Sequence, residues 1–322
     1  MSDRFGEPAP LLAAPGAPVP PGAEAAWVQG AGGVRLRAAL FQPAASLRGS
    51  VVVSPGRTEF VEKYFEVARE LQDRGFVVLV HDWRGQGLSD RLHPDPLRGH
   101  AAGVDAFVED FARVLAAFEA RLPKPWINLA HSMGAGLTTV ALARGESRFA
   151  GQLLSAPMFG VVARRVHPGV LDLACRLNLG TGGASRWAFR MEPGGGPRAR
   201  LSHDARRMQR WLGQIRAHPQ LALGGLTWGW LRMALDVRRE LTDAALSRLA
   251  LPTTLLLASE EDAVDNAAAR RAARATPSAE LVELPGAWHE ILMETDDIRA
   301  RAWAAFDALA DRAAPRTSPA TI

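Results

Sequence analysis

The chain has 322 residues, more than an average domain but within what one α/β core with an insertion can fill. Hydrophobic residues make up 48% and charged residues 22%, and no apolar run nears the roughly 18 residues of a membrane span, which speaks against a transmembrane protein. The formal net charge is only +4, and the bases, all arginine except Lys63 and Lys124, are scattered among acids rather than gathered in a stripe, which argues against a nucleic-acid partner.

Residues 1–24 are rich in proline and alanine, lack periodicity, and read as a loose extension. They contain no uninterrupted apolar stretch of the signal-peptide kind, and Cys175 is the only cysteine, so intramolecular disulfides are impossible and a reducing cytoplasm is the natural compartment. Cys175 lies in an apolar helical pattern and reads as a packed core residue.

From Ala25 the segment AAWVQGAGGVRLRAALFQP gives two strand-like runs around a glycine turn, an antiparallel edge to a central sheet. GSVVVSP is a buried strand. Val61, Tyr64, Phe65, Ala68 and Leu71 then share one face of a helix that stops at Gly75. FVVLVHD, WINLAHS and AGQLLSAP read as further buried strands, separated by a helix with Val104, Phe107, Val108, Phe111, Leu115 and Phe118 on one face and by the helix GAGLTTVALAR. Strands alternating with helices imply a mostly parallel sheet covered on both faces.

The alternation stops after Pro157. Residues 157–249 read as an inserted helical cap carrying Trp187, Trp211, Trp228 and Trp230, whose rings suit packing more than a ligand box. LPTTLLLASEED and AELVELPGAWHE restore strands, and Ile298, Ala302, Phe306 and Leu309 mark a closing helix, so the core comprises 25–156 and 250–314. The arginines of RRVHPG and ARRMQR could draw the protein to an anionic head group or membrane surface.

In such a sheet reacting groups gather at strand ends. Ser132, in NLAHSMGAGL, sits between a buried strand and a helix. It is either a nucleophile on a sharp elbow, for which Gly134 and Gly136 supply the small neighbours, or an ordinary helix cap. A serine nucleophile needs a base, an orienting acid and oxyanion donors. His131 points to the opposite face of the strand from its neighbour, His81 and Asp82 read as structural, His93 and His100 lie in a loop, and His167, His203 and His218 lie in the cap. His289, on a loop after the last strand, is the best-placed base. Past the strand TTLLLA stand Asp262 and its competitors Glu260, Glu261 and Asp265. The backbone N–H of Met133 and one from the loop PGRTEF, where Arg57 follows a glycine, suit the oxyanion hole.

The segments SPGRTEFVEKYFEVARELQDRGFVVLVHDWRGQGLSDR, AHSMGAGL, LLLASEEDAVDN and PGAWHEILME, in that order, resemble the lysophospholipase and monoacylglycerol-lipase branch of the α/β-hydrolases (serine aminopeptidase S33-like), over about residues 25–312. The resemblance implies the α/β-hydrolase fold with Ser132 as nucleophile, Asp262 as acid, His289 as base, and the amides of Arg57 and Met133 as oxyanion donors. It departs from the family pattern at Ser54, Gln86, Ala130 and Ala135, none of them a reacting group. The implied activity is hydrolysis of a lipid-like ester, a lysophospholipid or monoacylglycerol, through an acyl-enzyme with no metal or organic cofactor; the lone cysteine places it in the cytoplasm, and the arginine clusters leave room for peripheral membrane contact. An amide hydrolase and a non-catalytic binding protein on the same fold are the alternatives.

Overall fold

The structure is a computed structural model that describes residues 6–43, 47–161, 168–195 and 200–315. In chain order the elements are β1 (Glu7–Pro8), β2 (Ala23–Gln29), β3 (Arg35–Phe41), β4 (Gly49–Ser54), α1 (Phe65–Asp73), β5 (Phe76–His81), α2 (Asp105–Phe118), β6 (Trp126–His131), α3 (Ser132–Ala143) and β7 (Phe149–Ser155). There follow α4 (Pro168–Gly180), β8 (Trp187–Phe189), α5 (Ala205–Ala217), β9 (Leu226–Thr227), α6 (Trp228–Glu240), α7 (Asp243–Leu246), β10 (Thr253–Ala258), α8 (Asn266–Ala275), β11 (Ala279–Leu284) and α9 (Asp296–Ala313).

Strands β4, β5, β6 and β10 are buried at every position, which is why their sequences show apolar runs without alternation. They form one sheet in the order β1-β2-β3-β5-β4-β6-β7-β10-β11. The first pairings, β1 with β2, β2 with β3 and β3 with β5, are antiparallel, and every later one is parallel. Two apolar layers sandwich the sheet. The α2, α3, α6 and α8 side chains Phe107, Phe111, Met133, Leu137, Met233 and Ala268 belong to one. Val61, Phe65, Leu71, Ile298, Phe306 and Leu309, from α1, α9 and the turn before α1, belong to the other. The helical faces read from sequence are thus the buried ones. Gly75 ends α1 with φ +88°, a conformation that glycine reaches without steric cost.

Between β7 and β10 the described chain is mostly helical. Two elements there depart from the purely helical reading: β8 and β9 pair as a short antiparallel ribbon. Cys175 is buried on α4 against Leu231 and Leu235 of α6.

The expected loose extension is corrected for its described part. β1 adds to the sheet edge with Glu7 opposite Trp27. The Leu12 N–H donates to Glu62 Oε1 at 3.1 Å, and the Pro10 carbonyl accepts from Arg37 Nη1 at 3.1 Å. Leu11 and Val19 pack against the α1/α9 layer. Composition missed this because the contacts are tertiary: a proline-rich strand lays down its few leucines and carbonyls on a surface formed elsewhere.

Candidate active site

The strand-to-helix turn at the end of β6 is sharp. His131 is extended (φ −114°, ψ 137°), Ser132 already begins α3, and its φ is +50°, in the left-handed region that costs a non-glycine residue about 1–3 kcal/mol. Such strain at a hydroxyl-bearing residue is hard to square with a plain helix cap. The two glycines that follow are sterically required. A Cβ on Gly134 would lie 2.3 Å from the Ser54 carbonyl oxygen, and one on Gly136 would lie 2.6 Å from that of Met158. Ala130 and Ala135, where the family pattern has glycine, are fully buried and fit as methyl groups in the core.

His289 brings its imidazole to the turn. Its Nε2 lies 3.0 Å from Ser132 Oγ, and its Nδ1 lies 2.7 Å from Glu261 Oε2. Nδ1 therefore carries the proton toward the carboxylate and Nε2 presents its lone pair to the hydroxyl. Burial alone would lower the imidazole pKa. The Glu261 hydrogen bond and the charges of Glu261, Glu290 and Glu59 outweigh that and hold it above its ordinary value of 6.5. Glu261 moves the opposite way: desolvation would raise it, but the His289 hydrogen bond and the amides of Ala263 and Val264 keep it below its ordinary value.

The acid expected at Asp262 is corrected to its neighbour. The chain turns after β10 so that the Glu261 side chain, 1% exposed, points inward. Its Oε1 accepts from the N–H groups of Ala263 (2.7 Å) and Val264 (3.3 Å), which aims Oε2 at His289. Of the other competitors, Glu260 accepts from Trp288 Nε1 at 3.0 Å and Asp265 caps α8 through Ala267 and Ala268. Asp262 lies on the same turn, but the hydrogen bond to the imidazole belongs to Glu261.

The remaining described histidines are engaged elsewhere. His81 faces Ser54 Oγ at 3.3 Å and is driven down to about 3 by burial, while Asp82 holds the buried Arg37 together with Glu62. His100 meets Thr227, His203 meets Glu294, His93 accepts from the Asp95 N–H, and His218 meets the Ala13 carbonyl. His167 lies outside the described residues.

Met133 follows the serine in the first turn of α3, its N–H among the free donors of a helix start. The loop carrying Arg57 is clamped against it. The Trp83 indole donates to the Pro55 carbonyl at 2.8 Å, Gln86 Nε2 donates to the Gly56 carbonyl at 2.7 Å, and the Gly56 N–H donates to Glu59 Oε2. A Cβ on Gly56 would meet the His131 ring at 2.8 Å, so the loop touches the residue before the serine.

Beneath this loop lies a buried charge cluster that sequence reasoning missed. Lys63 Nζ pairs with Glu59 and, at 2.7 Å, with Glu290, while Tyr64 donates to Glu59 at 2.5 Å. His131 sits 3.6 and 3.5 Å from the two carboxylates, with its ring centre 4.8 Å from that of His289. Glu59, His131 and Glu290 converge as a metal site would, but the Lys63 ammonium already bonds both carboxylates. The signal was present in an acid and a base spaced i, i+4 at Glu59 and Lys63 and in an acid directly after His289.

The membrane-directed arginines fare differently. Those of RRVHPG at 164 and 165 lie outside the described residues. In ARRMQR, Arg207 and Arg210 are tied to Glu66, and Arg207 also to Asp204 and Asp296, whereas Arg206 is exposed, 3.5 and 3.7 Å from Asp204 and Asp296. No helix among the described residues is long and apolar enough to cross a membrane.

Residues 45–296 match the family described as serine aminopeptidase S33. The chain is 34% identical over 274 residues to lysophospholipase L2 of Escherichia coli, covering 77% of this chain and 76% of that one. It is 28% identical over 272 residues to a monoacylglycerol lipase of Mycolicibacterium smegmatis, covering 83% and 90%. Its fold is similar to the crystal structure of Paleococcus ferrophilus monoacylglycerol lipase, with a TM-score of 0.69 at 19% identity over 86% of this chain and 99% of that one.

Proposed function

As a member of the serine aminopeptidase S33 family of α/β-hydrolases, the chain is a hydrolase of lipid-like esters, and we propose that Ser132, His289 and Glu261 carry that reaction. One observation carries the assignment: an unbroken line from carboxylate to imidazole to hydroxyl, with contacts of 2.7 and 3.0 Å. His289 takes the Ser132 proton as Oγ attacks the ester carbonyl. The N–H groups of Met133 and Arg57 receive the oxyanion. His289 returns the proton to the departing alcohol, Glu261 stabilises the imidazolium, and water, activated by the same imidazole, releases the fatty acid.

The substrates named for the relatives, lysophospholipid and monoacylglycerol, set the expected class. A fluorophosphonate probe should label the protein, and fatty acid should be released from both lipids faster than amine from aminoacyl anilides. Turnover of the anilides alone would move the reading to amide hydrolysis, and a folded protein that neither labels nor turns over would be a binding module.

Residues 157–249 act in this reading as a cap over the site. Its helix α4 exposes Val170, Leu173 and Leu177, spaced along one face, with Phe189 nearby in sequence and also exposed. That apolar face supports peripheral contact with a lipid surface from the cytoplasmic side, the compartment that the lone cysteine favours. Co-sedimentation with phosphatidylglycerol vesicles is the check. Binding should fall about tenfold or more in Leu173→Glu/Leu177→Glu, and unchanged binding removes α4 from the contact.

A further inference from the structure

Most buried bases in this protein have their acids. Arg37 pairs with Glu62 and Asp82, Arg84 with Asp110, Lys63 with Glu59 and Glu290, and Arg207 with Glu66 and Asp204. Arg57 has none among the described residues. Its Nη2 donates to two backbone carbonyls, Gly224 and Gly225 (2.5 Å to the latter), and its guanidinium stands 5.4 Å from the centre of the Trp230 ring. Its Nε is sealed from solvent without a partner, and its Nη1 makes no hydrogen bond to the described residues. Arg91 also lacks a carboxylate partner among the described residues, but it gives its donors to the carbonyls of Gly85, Gly87, Gln220 and Ala222. Burial without a counter-charge lowers Arg57 to about 10, so it remains a cation at neutral pH.

An uncompensated buried cation is costly unless something of opposite sign arrives. The place is informative. Arg57 belongs to the loop pressed on the nucleophile's neighbour His131, and its side chain reaches between that loop, Gly99 and the start of α6. A Cβ on Gly99 would come within 2.8 Å of Nη2, so the chain is bare where the guanidinium lies. An ester whose carbonyl oxygen met the Arg57 N–H would be held by the backbone of the same residue that carries this guanidinium. We propose that the Arg57 side chain binds the phosphate of a glycerophosphodiester head group, which makes the hydrolase of the preceding section selective for lysophospholipid over neutral monoacylglycerol. Nη2 stays on its two carbonyls, and the Nε and Nη1 hydrogens are left as charge-assisted donors for a phosphate oxygen.

The inference rests on the ester-hydrolase reading, and its test separates the two. Turnover of 1-palmitoyl-lysophosphatidylcholine and of 1-palmitoylglycerol is compared in the wild type, Arg57→Met and Arg57→Lys. Since the same residue's amide serves the oxyanion, both rates should fall. The ratio of kcat/KM for phospholipid over glyceride should drop by about 10- to 100-fold further in Arg57→Met, and by less in Arg57→Lys. A parallel fall with an unchanged ratio overturns the proposal. Calorimetry reads binding without turnover: sn-glycerol 3-phosphate should bind the wild type, glycerol should not, and Arg57→Met should lose the heat. Absence of glycerol 3-phosphate binding to the wild type overturns the proposal even where Arg57→Met fails to fold. Arg57-dependent binding of inorganic phosphate with an unaltered substrate ratio assigns the site to a free anion and overturns the head-group role. Loss of all ester turnover in a wild type that still binds glycerol 3-phosphate would instead indict the hydrolase reading.

Discussion

Replacing Ser132 by alanine should lower kcat for the lipid esters by roughly 10⁴- to 10⁶-fold and abolish fluorophosphonate labelling, with the thermal unfolding midpoint unchanged or raised. The size follows from the chemistry. Without Oγ there is no atom to form the acyl-enzyme, and His289 has no proton to take. What survives is water attack helped by the oxyanion donors. The stability expectation follows from the backbone. Ser132 is held at φ +50° by the close contacts of Gly134 and Gly136, and alanine accepts that conformation no more readily than serine, so the strain stays and only a nearly buried hydroxyl is lost. A variant that kept even a hundredth of the wild-type kcat would mean that another residue attacks the carbonyl, and the elbow would have to be read as a helix start.

How far the sequence reaches can be seen residue by residue. The central strands and the faces of α1, α2 and α9 are legible because burial on both sides of a sheet demands continuous apolar runs and burial of a helix demands one apolar stripe. The meeting of Ser132 with His289 is legible for a related reason: strand ends in a parallel sheet converge on one edge, and the small residues around Ser132 betray a tight turn. Where the outcome depends on the direction of a single side chain, pattern fails. Residues 260–262 are Glu, Glu and Asp, and nothing in their order tells which carboxylate the turn folds inward. That is decided by the amides of Ala263 and Val264. The Glu59–Lys63–Glu290 cluster escaped because Glu290 is distant in sequence and meets the pair only across the fold. The β8–β9 ribbon, of three and two residues, is too short for any periodicity to register.

The choice between adjacent acids gives the second large effect. Glu261→Gln should lower kcat by about 10⁴-fold, whereas Asp262→Asn should leave it within about threefold. The amide keeps the shape of Glu261 but no longer stabilises the imidazolium, and its NH₂ group favours the tautomer with the proton on Nε2, the wrong nitrogen for a base facing Ser132. The pH profile separates this from simple loss of packing. His289 must be neutral to accept the serine proton, and its pKa is raised, so wild-type kcat/KM should rise with pH through a limb above 6.5. The Glu261 hydrogen bond and charge are the leading contributors to that elevation, so in Glu261→Gln the limb should move to lower pH while the plateau falls. Stability follows the same linkage. Because the folded pKa of His289 exceeds its unfolded value, the protonated imidazole adds stability that is fully present below the unfolded pKa and lost as pH rises through the folded one. Glu261→Gln should therefore flatten the dependence of unfolding free energy on pH across that window. If Asp262→Asn instead produced the collapse of kcat and the shifted limb, the turn after β10 would have to rotate by one residue in the working enzyme, and the acid would pass to Asp262.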